Sequence, residues 1–264
     1  MFGERPTQHP ATRILIIANV AIFLLQYLLG PMGRGATQVF ALTGEGLSSG
    51  AIWQVVTYQF LHGNLLHLLV NMVALWFAGR ELEAVVGTRR FLALYFIGGI
   101  VGGLLQTVFS PSDMPLIGAS ASVCAVMLAL TTLFPRMPIT ALLFFVLPVR
   151  MRARTLGYIL VGASVFFLLF RLMPGVGHLA HLGGFASGWI FGRAYRPRFG
   201  DGFGWTFRNP FTSRPPGGGP EIEVISPLRT VDEVIDKVMR HGIESLTRDE
   251  RRVLEESRSF RRRR

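Results

Sequence analysis

Six long apolar stretches restrict the folds that this 264-residue chain can adopt. A helix needs roughly 17 to 25 residues to cross a hydrocarbon core about 30 Å thick. The six stretches are close to or within that range and cover residues 14–30, 60–78, 91–109, 117–134, 155–170 and 178–195. The sequence therefore predicts an all-α polytopic membrane protein with a bundle of six transmembrane helices.

The composition agrees with a membrane protein and excludes several other classes. Charged residues make up 16% of the chain and hydrophobic residues 50%, whereas roughly a quarter of the residues in an average soluble domain are charged. A collagen-like, disulfide-stapled or largely disordered protein is excluded. Cys124 is the one cysteine in the sequence, so an internal disulfide is impossible and no Cys/His zinc motif is present. We expect neither a metal nor an organic cofactor.

The positive charge indicates membrane topology rather than nucleic-acid binding. The formal net charge is +11, but the arginines lie mainly between and after the apolar stretches. Cytoplasmic loops of membrane proteins are rich in arginine and lysine. With the N-terminus inside, the outer connections carry little beyond Arg34 and Arg171, whereas the inner ones carry Arg80, Arg89, Arg90, Arg136, Arg150, Arg152 and Arg154. The bias predicts that both termini are cytoplasmic and that no nucleic acid is bound.

The sequence divides into four predicted parts. They are a cytoplasmic lead (1–13), the membrane domain (14–197), a Gly/Pro-rich linker (198–228) and a cytoplasmic basic helical hairpin (229–264). In the hairpin, Thr230 and Glu233 form a capping-box pattern, and the terminal arginines are suited to contact anionic lipid.

One further apolar stretch, residues 139–148, lies between the fourth and fifth long ones. It is too short to span a membrane, and prolines at positions 138 and 148 disfavour a helix. We predict a loop at the membrane edge. No small-x-small cleavage site follows Leu29, so we expect the first long stretch to be retained.

Three of the long stretches carry polar side chains near the end that this topology places outside. His67 and Asn71 are four residues apart and share one face of the second helix. Ser120 lies near the start of the fourth stretch, and His181 lies near the start of the sixth. Polar groups inside membrane segments are costly and usually face a bundle interior or a water-filled cavity. We therefore expect these four side chains to form one site near the outer surface.

The residue types in this predicted site point to acyl transfer. A histidine that takes the hydroxyl proton converts serine into a nucleophile, and His67 and Asn71 are suited to donate hydrogen bonds to an oxyanion. Each side chain also has a structural interpretation, because serine often bonds its own helix and a buried histidine is often a satisfied core group. His178, one turn before His181, is an alternative base.

Small residues recur on two of the predicted helices. The sixth carries Gly184, Gly188 and Gly192, and the fourth carries alanines at the same spacing, at positions 121, 125 and 129. Such faces let helix backbones approach closely. A close approach of these two helices would bring Ser120 and His181 within hydrogen-bond distance.

Taken in order, these motifs resemble those of the rhomboid family of intramembrane serine proteases. Residues 60–71 resemble the family's His-bearing start of the second helix, and residues 79–87 its cytoplasmic second connection. Residues 118–120 resemble the Gly-x-Ser nucleophile motif, and residues 180–188 resemble Ala-His-x-x-Gly-x-x-x-Gly. The resemblance covers residues 13 to about 196.

The resemblance implies a six-helix core with a Ser/His dyad and no third, acidic member. Ser120 would be the nucleophile and His181 the general base, while His67 and Asn71 would line an oxyanion hole together with the Ser120 amide. The resemblance also implies supporting positions in the first outer loop, the nucleophile motif and the helix packing, which are His62, Gly118, Gly184 and Gly188.

Two positions depart from the family pattern and keep a second hypothesis open. Ala121 stands where glycine usually follows the nucleophile, and Cys124 stands where an aromatic often stacks on the catalytic histidine. The first hypothesis is an endopeptidase that cleaves transmembrane protein substrates near the outer face. The second is a catalytically weak or inactive rhomboid-like protein that binds membrane helices.

Either hypothesis implies a multi-pass protein in contact with membrane lipid. The sequence shows no Arg/Ser-rich transit peptide, so we expect a bacterial-type plasma membrane rather than an organelle. Neither a substrate identity nor an oligomeric state is predicted.

Overall fold

The structure is a computed structural model that describes residues 9–109, 115–143, 147–173 and 175–195, together with residues 238, 239, 244, 246 and 251. The chain divides into two compact units, Met1–Thr206 and Phe207–Arg264. The elements described below all belong to the first unit. The predicted linker (198–228), and the predicted hairpin (229–264) apart from those five residues, lie outside the described residues.

The described part of the first unit is mostly helical. Its helices are α1 (Pro10–Leu28), α2 (Gly30–Phe40), α3 (Gly44–Ser48), α4 (Gln54–Thr57), α5 (Leu65–Ala74), α6 (Arg80–Val86), α7 (Thr88–Phe109), α8 (Ser120–Leu133), α9 (Ala153–Leu169) and α10 (His178–Tyr195). A 3-10 turn (Tyr58–Phe60) follows α4, and a π turn (Leu75–Gly79) joins α5 to α6. Two strands, β1 (Pro138–Leu143) and β2 (Leu147–Arg152), lie between α8 and α9.

Each predicted apolar stretch contains a helix. Among the described residues, three helical spans are long and apolar enough to cross a membrane, namely Pro10–Leu28, Leu65–Val86 and Thr88–Phe109. Two further apolar helices, α8 and α9, are shorter. The helix bounds differ from the predicted ones by a few residues, except in the second stretch.

The second stretch begins and ends later than the sequence pattern predicts. It was expected over residues 60–78, but its helix begins at Leu65, because the side chain of Asn64 caps it by accepting a hydrogen bond from the His67 N–H (2.8 Å). It continues through the π turn to Val86. It ends there because Gly87 adopts a φ of 81°, a left-handed conformation that glycine readily takes.

The segment predicted as a membrane-edge loop is an antiparallel hairpin, so that prediction was wrong. The pairing of β1 with β2 runs from Pro138 opposite Arg152 to Leu143 opposite Leu147. Prolines in this segment disfavour a helix, while cross-strand pairing satisfies the backbone N–H and C=O groups that a loop would leave to solvent. The sequence rules excluded the helix correctly but missed the pairing, which joins residues up to 14 positions apart.

Glycine allows α10 to pack against α8 backbone to backbone. A Cβ added to Gly184 would overlap the carbonyl oxygen of Ala121, and one added to Gly188 would overlap that of Ala125. The two small-residue faces therefore lie against each other, as their spacing predicts. Contact at this distance maximises van der Waals packing, which holds helices together where no water is available to be released.

Gly102 of α7 allows the same close packing of α7 against both α8 and α10. A Cβ on Gly102 would overlap the carbonyl oxygen of Ala180 in α10 and would lie 2.8 Å from the Cβ of Ala121 in α8. The helices α7, α8 and α10 thus form one closely packed group. This group carries both Ser120 and His181.

The start of α1 is capped by Glu83 of α6. His9 stands at the N-cap position but makes no capping hydrogen bond. The N–H groups of Ala11 and Thr12 donate to the Glu83 carboxylate, at 3.0 and 2.9 Å. The hydroxyls of Thr12 and Thr88 also donate to it, both at 2.8 Å. Glu83 is 2% exposed, so four donors and the helix N-terminus stabilise a buried acceptor.

We expect Glu83→Gln to destabilise the protein by about 2 to 4 kcal/mol. The amide has one acceptor oxygen instead of two, and its NH2 group would face N–H groups that also need an acceptor. Thermal unfolding in detergent measures the loss. The matched control is Glu81→Gln, since Glu81 forms a partly exposed ion pair with Arg80 (3.1 Å); such a pair contributes about 1 kcal/mol or less. Equal effects of the two substitutions would contradict the capping role.

Candidate active site

The structure places Ser120 and His181 within hydrogen-bond distance, although they are 61 residues apart in the sequence. The Oγ of Ser120 lies 2.9 Å from the Nε2 of His181. Both side chains are half-buried, so the pair is partly shielded from its surroundings but remains accessible. In the tautomer with a bare Nε2, the hydroxyl donates to the imidazole, which is the arrangement that a serine needs to lose its proton during attack.

Ser120 is the first residue of α8, which leaves its backbone N–H available. The helix begins directly after Ala119, and no side chain caps it. First-turn N–H groups of a helix have no acceptor within the helix. They also lie at the positive end of the helix dipole. The start of α8 is therefore suited to stabilise negative charge next to the Ser120 hydroxyl.

Gly118 shapes the turn that leads to Ser120. Its φ is 123°, a conformation that side chains rarely allow, and its N–H donates to the carbonyl oxygen of Tyr58 (2.9 Å). A Cβ at this position would lie 2.6 Å from the Cε1 and 2.7 Å from the Nε2 of His67. Glycine therefore permits both the turn and the close approach of His67 to the segment before Ser120.

Asn71 and His62 lie beside His67 rather than against the Ser–His pair. The Asn71 amide donates to the carbonyl oxygen of His67 (3.0 Å), and its nitrogen lies 3.4 Å from the Nε2 of His62. The rings of His62 and His67 are 5.0 Å apart and inclined at 65°. Within the part of the chain that the structure describes, no hydrogen bond joins Asn71 to Ser120 or His181. Thus His67 lies against Gly118, two residues before Ser120, while Asn71 lies one turn behind His67.

Gln106 is a functional candidate that the sequence reasoning missed. Its side-chain oxygen accepts hydrogen bonds from the N–H groups of Leu179 and Ala180, at 3.1 and 3.3 Å. This side chain of α7 thus caps the start of α10, immediately before His181. An amide within an apolar membrane stretch is costly unless it is paired, and that cost is the signal that identifies such a residue.

Gln59 is a second polar residue that the sequence reasoning missed. It is fully buried; its Oε1 accepts from the Ser122 hydroxyl (2.9 Å), and its Nε2 donates to the carbonyl oxygen of Val55 (2.8 Å). Ser122 follows the candidate nucleophile by two residues. The pair therefore joins the segment before α5 to the first turn of α8.

The methyl group of Ala121 is accommodated by α7. A Cβ on Gly102 would lie 2.8 Å from the Cβ of Ala121, so the absence of a side chain at Gly102 leaves the methyl its space. Ser120 and His181 are hydrogen-bonded with Ala121 in place. Cys124, the other departure from the expected pattern, is half-buried on α8.

No group of three or more metal-ligating side chains that could hold a metal occurs in the described ranges.

Comparison with known proteins matches the region that holds this site. A family model described as "Rhomboid domain" matches residues 49–198, which is more than half of the chain. "RHOMBOID-like protein 1" of Arabidopsis thaliana is 32% identical over 177 residues, 66% of this chain and 43% of the relative. "Rhomboid protease GluP" of Bacillus subtilis is 28% identical over 179 residues, 65% of this chain and 32% of the relative.

A third relative is matched over a shorter region. "Rhomboid protease GlpG" of Yersinia pestis is 29% identical over 118 residues, 45% of this chain and 41% of the relative. In all three comparisons the aligned region covers less than half of the relative's length.

Proposed function

The chain belongs to the rhomboid family, and on that premise we propose that it is an intramembrane serine endopeptidase. In this proposal Ser120 is the nucleophile, His181 is the general base, and the substrates are transmembrane proteins. The observation that carries it is the 2.9 Å distance between the Ser120 Oγ and the His181 Nε2. The family and the apolar helices both indicate an integral membrane protein.

The reaction proceeds by two acyl transfers. The Ser120 Oγ attacks the carbonyl carbon of the scissile peptide while the His181 Nε2 takes the hydroxyl proton. The tetrahedral intermediate collapses, the C–N bond breaks, and His181 returns the proton to the leaving amine. A water molecule then attacks the acyl-enzyme with His181 again acting as base, which releases the new carboxyl terminus and restores the Ser120 hydroxyl.

The oxyanion of each intermediate is stabilised by donors near the start of α8. The Ser120 N–H belongs to the uncapped first turn of that helix, and the His67 imidazole lies against Gly118. In a dry site, one such donor contributes about 3 to 4 kcal/mol to transition-state stabilisation. The Asn71 amide donates one N–H to the His67 carbonyl, and its nitrogen lies 3.4 Å from the His62 Nε2, so its second N–H is the one that would turn toward the oxyanion.

We place the site near the outer face of a membrane that six helices cross. The spans are α1, the continuous helix α5–α6, and α7 to α10, although α8 and α9 are short. The arginine bias supports cytoplasmic termini, and the membrane in this proposal is a bacterial-type plasma membrane. In this topology, transmembrane substrates reach Ser120 and His181 from the surrounding lipid.

The alternative is a catalytically weak or inactive member of the family that binds membrane helices. The departures at Ala121 and Cys124 favour it. The packing of the Ala121 methyl against Gly102 weakens this argument, because Ser120 and His181 are hydrogen-bonded with that methyl present. A membrane-helix binder also has no chemical need for a serine and a histidine in this geometry.

Labelling with a fluorophosphonate tests whether the serine is activated. The purified chain in detergent is treated with the probe, and wild type is compared with His181→Ala. We expect rapid labelling of wild type and a rate at least about 100-fold lower in the variant, since general-base catalysis contributes 100- to 10,000-fold. No labelling of folded wild type would overturn the protease proposal and favour the membrane-helix binder.

A further inference from the structure

His178 lies between the candidate base and another helix. It precedes His181 by one turn on α10 and is 7% exposed. The two imidazole rings have centroids 6.1 Å apart and planes at 88°, an edge-to-face arrangement. Such arrangements are attractive because the positive edge of one ring meets the negative face of the other. Among the described residues, His178 is the aromatic side chain that packs against the His181 ring. Packing of this kind limits the orientations open to the His181 imidazole.

His178 also contacts the end of α9. Its ring stacks on Phe167, with centroids 5.7 Å apart and planes at 23°. Its Nε2 lies 3.2 Å from the carbonyl oxygen of Leu172. A carbonyl oxygen only accepts hydrogen bonds, so the Nε2 of His178 carries the proton and donates. Two contacts of different kinds thus attach His178 to residues at the end of α9.

The backbone around Leu172 is in a conformation that needs such support. The Leu172 N–H bonds the Phe167 carbonyl and the Arg171 N–H bonds the Leu168 carbonyl, which is a Schellman ending. Arg171 has a φ of 51° and Met173 a φ of 55°, although glycine is the residue that usually takes such values. The hydrogen bond from His178 stabilises the carbonyl between these two strained residues.

The rest of α9 is weakly buried. Its buried residues are Ala153, Gly157 and Ser164, and two of these three lie in its first two turns. Its last turn includes Leu169, which is 72% exposed. The contacts of His178 with Phe167 and Leu172 therefore hold the otherwise weakly buried end of α9 against α10.

We propose that His178 is a positioning residue that sets the orientation of His181 and couples it to the end of α9. Displacement of that end removes the Phe167 stack and the Leu172 hydrogen bond, and His181 then loses its ring contact. This inference rests on the proposed protease function, because the orientation of His181 matters for catalysis only if His181 is the base.

Three substitutions at His178 separate the ring contacts from the hydrogen bond. His178→Phe keeps an aromatic ring and loses the donor, His178→Gln keeps a donor at the position of the Nε2 and loses the ring, and His178→Ala loses both. We expect the maximal fluorophosphonate labelling rate at saturating probe to fall about tenfold or more in the Ala and Gln variants and less than threefold in the Phe variant. We expect the probe concentration for half-maximal rate to stay within twofold, because His178 does not bind the probe.

The coupling to α9 is tested with a matched pair of phenylalanines. Phe167→Ala removes the ring that stacks on His178, whereas Phe170→Ala removes one whose described ring contact is with Phe166. We expect the first to lower the maximal labelling rate at least threefold and the second to leave it unchanged. Equal rates in the two variants would overturn the coupling.

Nitrogen-15 spectra of the six histidines provide a readout that does not require activity. The His181 signals, assigned with His181→Gln, should be sharp in wild type and in His178→Phe, and broadened in His178→Ala. Unchanged His181 signals in the Ala variant, together with labelling within twofold of wild type, would overturn the positioning role. If wild type is not labelled, the protease proposal fails, and the spectra alone decide whether His178 orders His181.

Discussion

Replacing Ser120 with alanine is expected to abolish cleavage of membrane-spanning substrates. In the proposed reaction the hydroxyl oxygen forms the acyl-enzyme, and its loss leaves His181 without a proton to accept. By comparison with a well-characterised serine protease, we expect the rate to fall by about 10⁶-fold, which is below detection in a reconstituted assay. Cleavage of a model transmembrane substrate by the full chain in lipid vesicles is measured by the appearance of the two fragments.

Two further variants sharpen the Ser120 prediction. Ser187→Ala is the matched control, because Ser187 lies on α10 and its hydroxyl bonds the Gly183 carbonyl of its own helix (2.9 Å); we expect its activity to stay within threefold. Combining Ser120→Ala with His181→Ala should add little to either change, because a nucleophile and its base act as a unit. Persistent cleavage by Ser120→Ala would refute the assigned nucleophile.

Substituting alanine for Gly188 is expected to destabilise the protein strongly. The added Cβ would overlap the backbone carbonyl of Ala125, and a backbone group cannot rotate away as a side chain can. The helices α8 and α10 would have to separate, at a cost of about 3 kcal/mol. Thermal or denaturant-induced unfolding in detergent measures this change, and the separation should also slow probe labelling.

Gly162 supplies the matched control for the same substitution. It lies within α9, and a Cβ there meets nothing within 4 Å. Gly162→Ala should therefore be neutral or stabilising by up to about 1 kcal/mol, because alanine is the better helix former. A Gly188 variant as stable as the Gly162 variant would show that contact between α8 and α10 is not as close as the structure indicates.

The two large effects arise from the same contact between helices. Gly184 and Gly188 bring α10 onto α8, and the first turns of these two helices carry His181 and Ser120. Stability and catalytic geometry are therefore linked at this interface. Gly184→Ala should affect both, because Gly184 lies one turn after His181 and its added Cβ would overlap the carbonyl of Ala121.

The sequence predicted most of the helical architecture because the membrane restricts the choices. A long apolar segment in lipid must satisfy its backbone internally, which makes it a helix, and each of the six predicted stretches contains one. The matching spacing of small residues predicted that α8 and α10 pack together, and the structure shows this contact. The roles of Ser120, His181, His67 and Asn71 remain predictions that the experiments above test.

Features that depend on contacts between residues far apart in the sequence could not be predicted from sequence patterns. The β1–β2 hairpin was predicted as a loop, since pairing between two short strands has no local signal in an apolar segment. The capping of α1 by Glu83 joins residues more than 70 positions apart. The predicted C-terminal hairpin lies largely outside the described residues.

The sequence by itself determined that the long apolar segments contain helices and which helix ends carry a serine and a histidine, because both follow from hydrophobicity and spacing along one chain. Only the tertiary structure decided how those side chains are held. The cap that Gln106 provides to α10 and the contact of His178 with the end of α9 depend on neighbouring helices. The physical reason is that a buried polar group in a membrane must find its partner wherever packing provides one, and the partner's position in the sequence is not constrained.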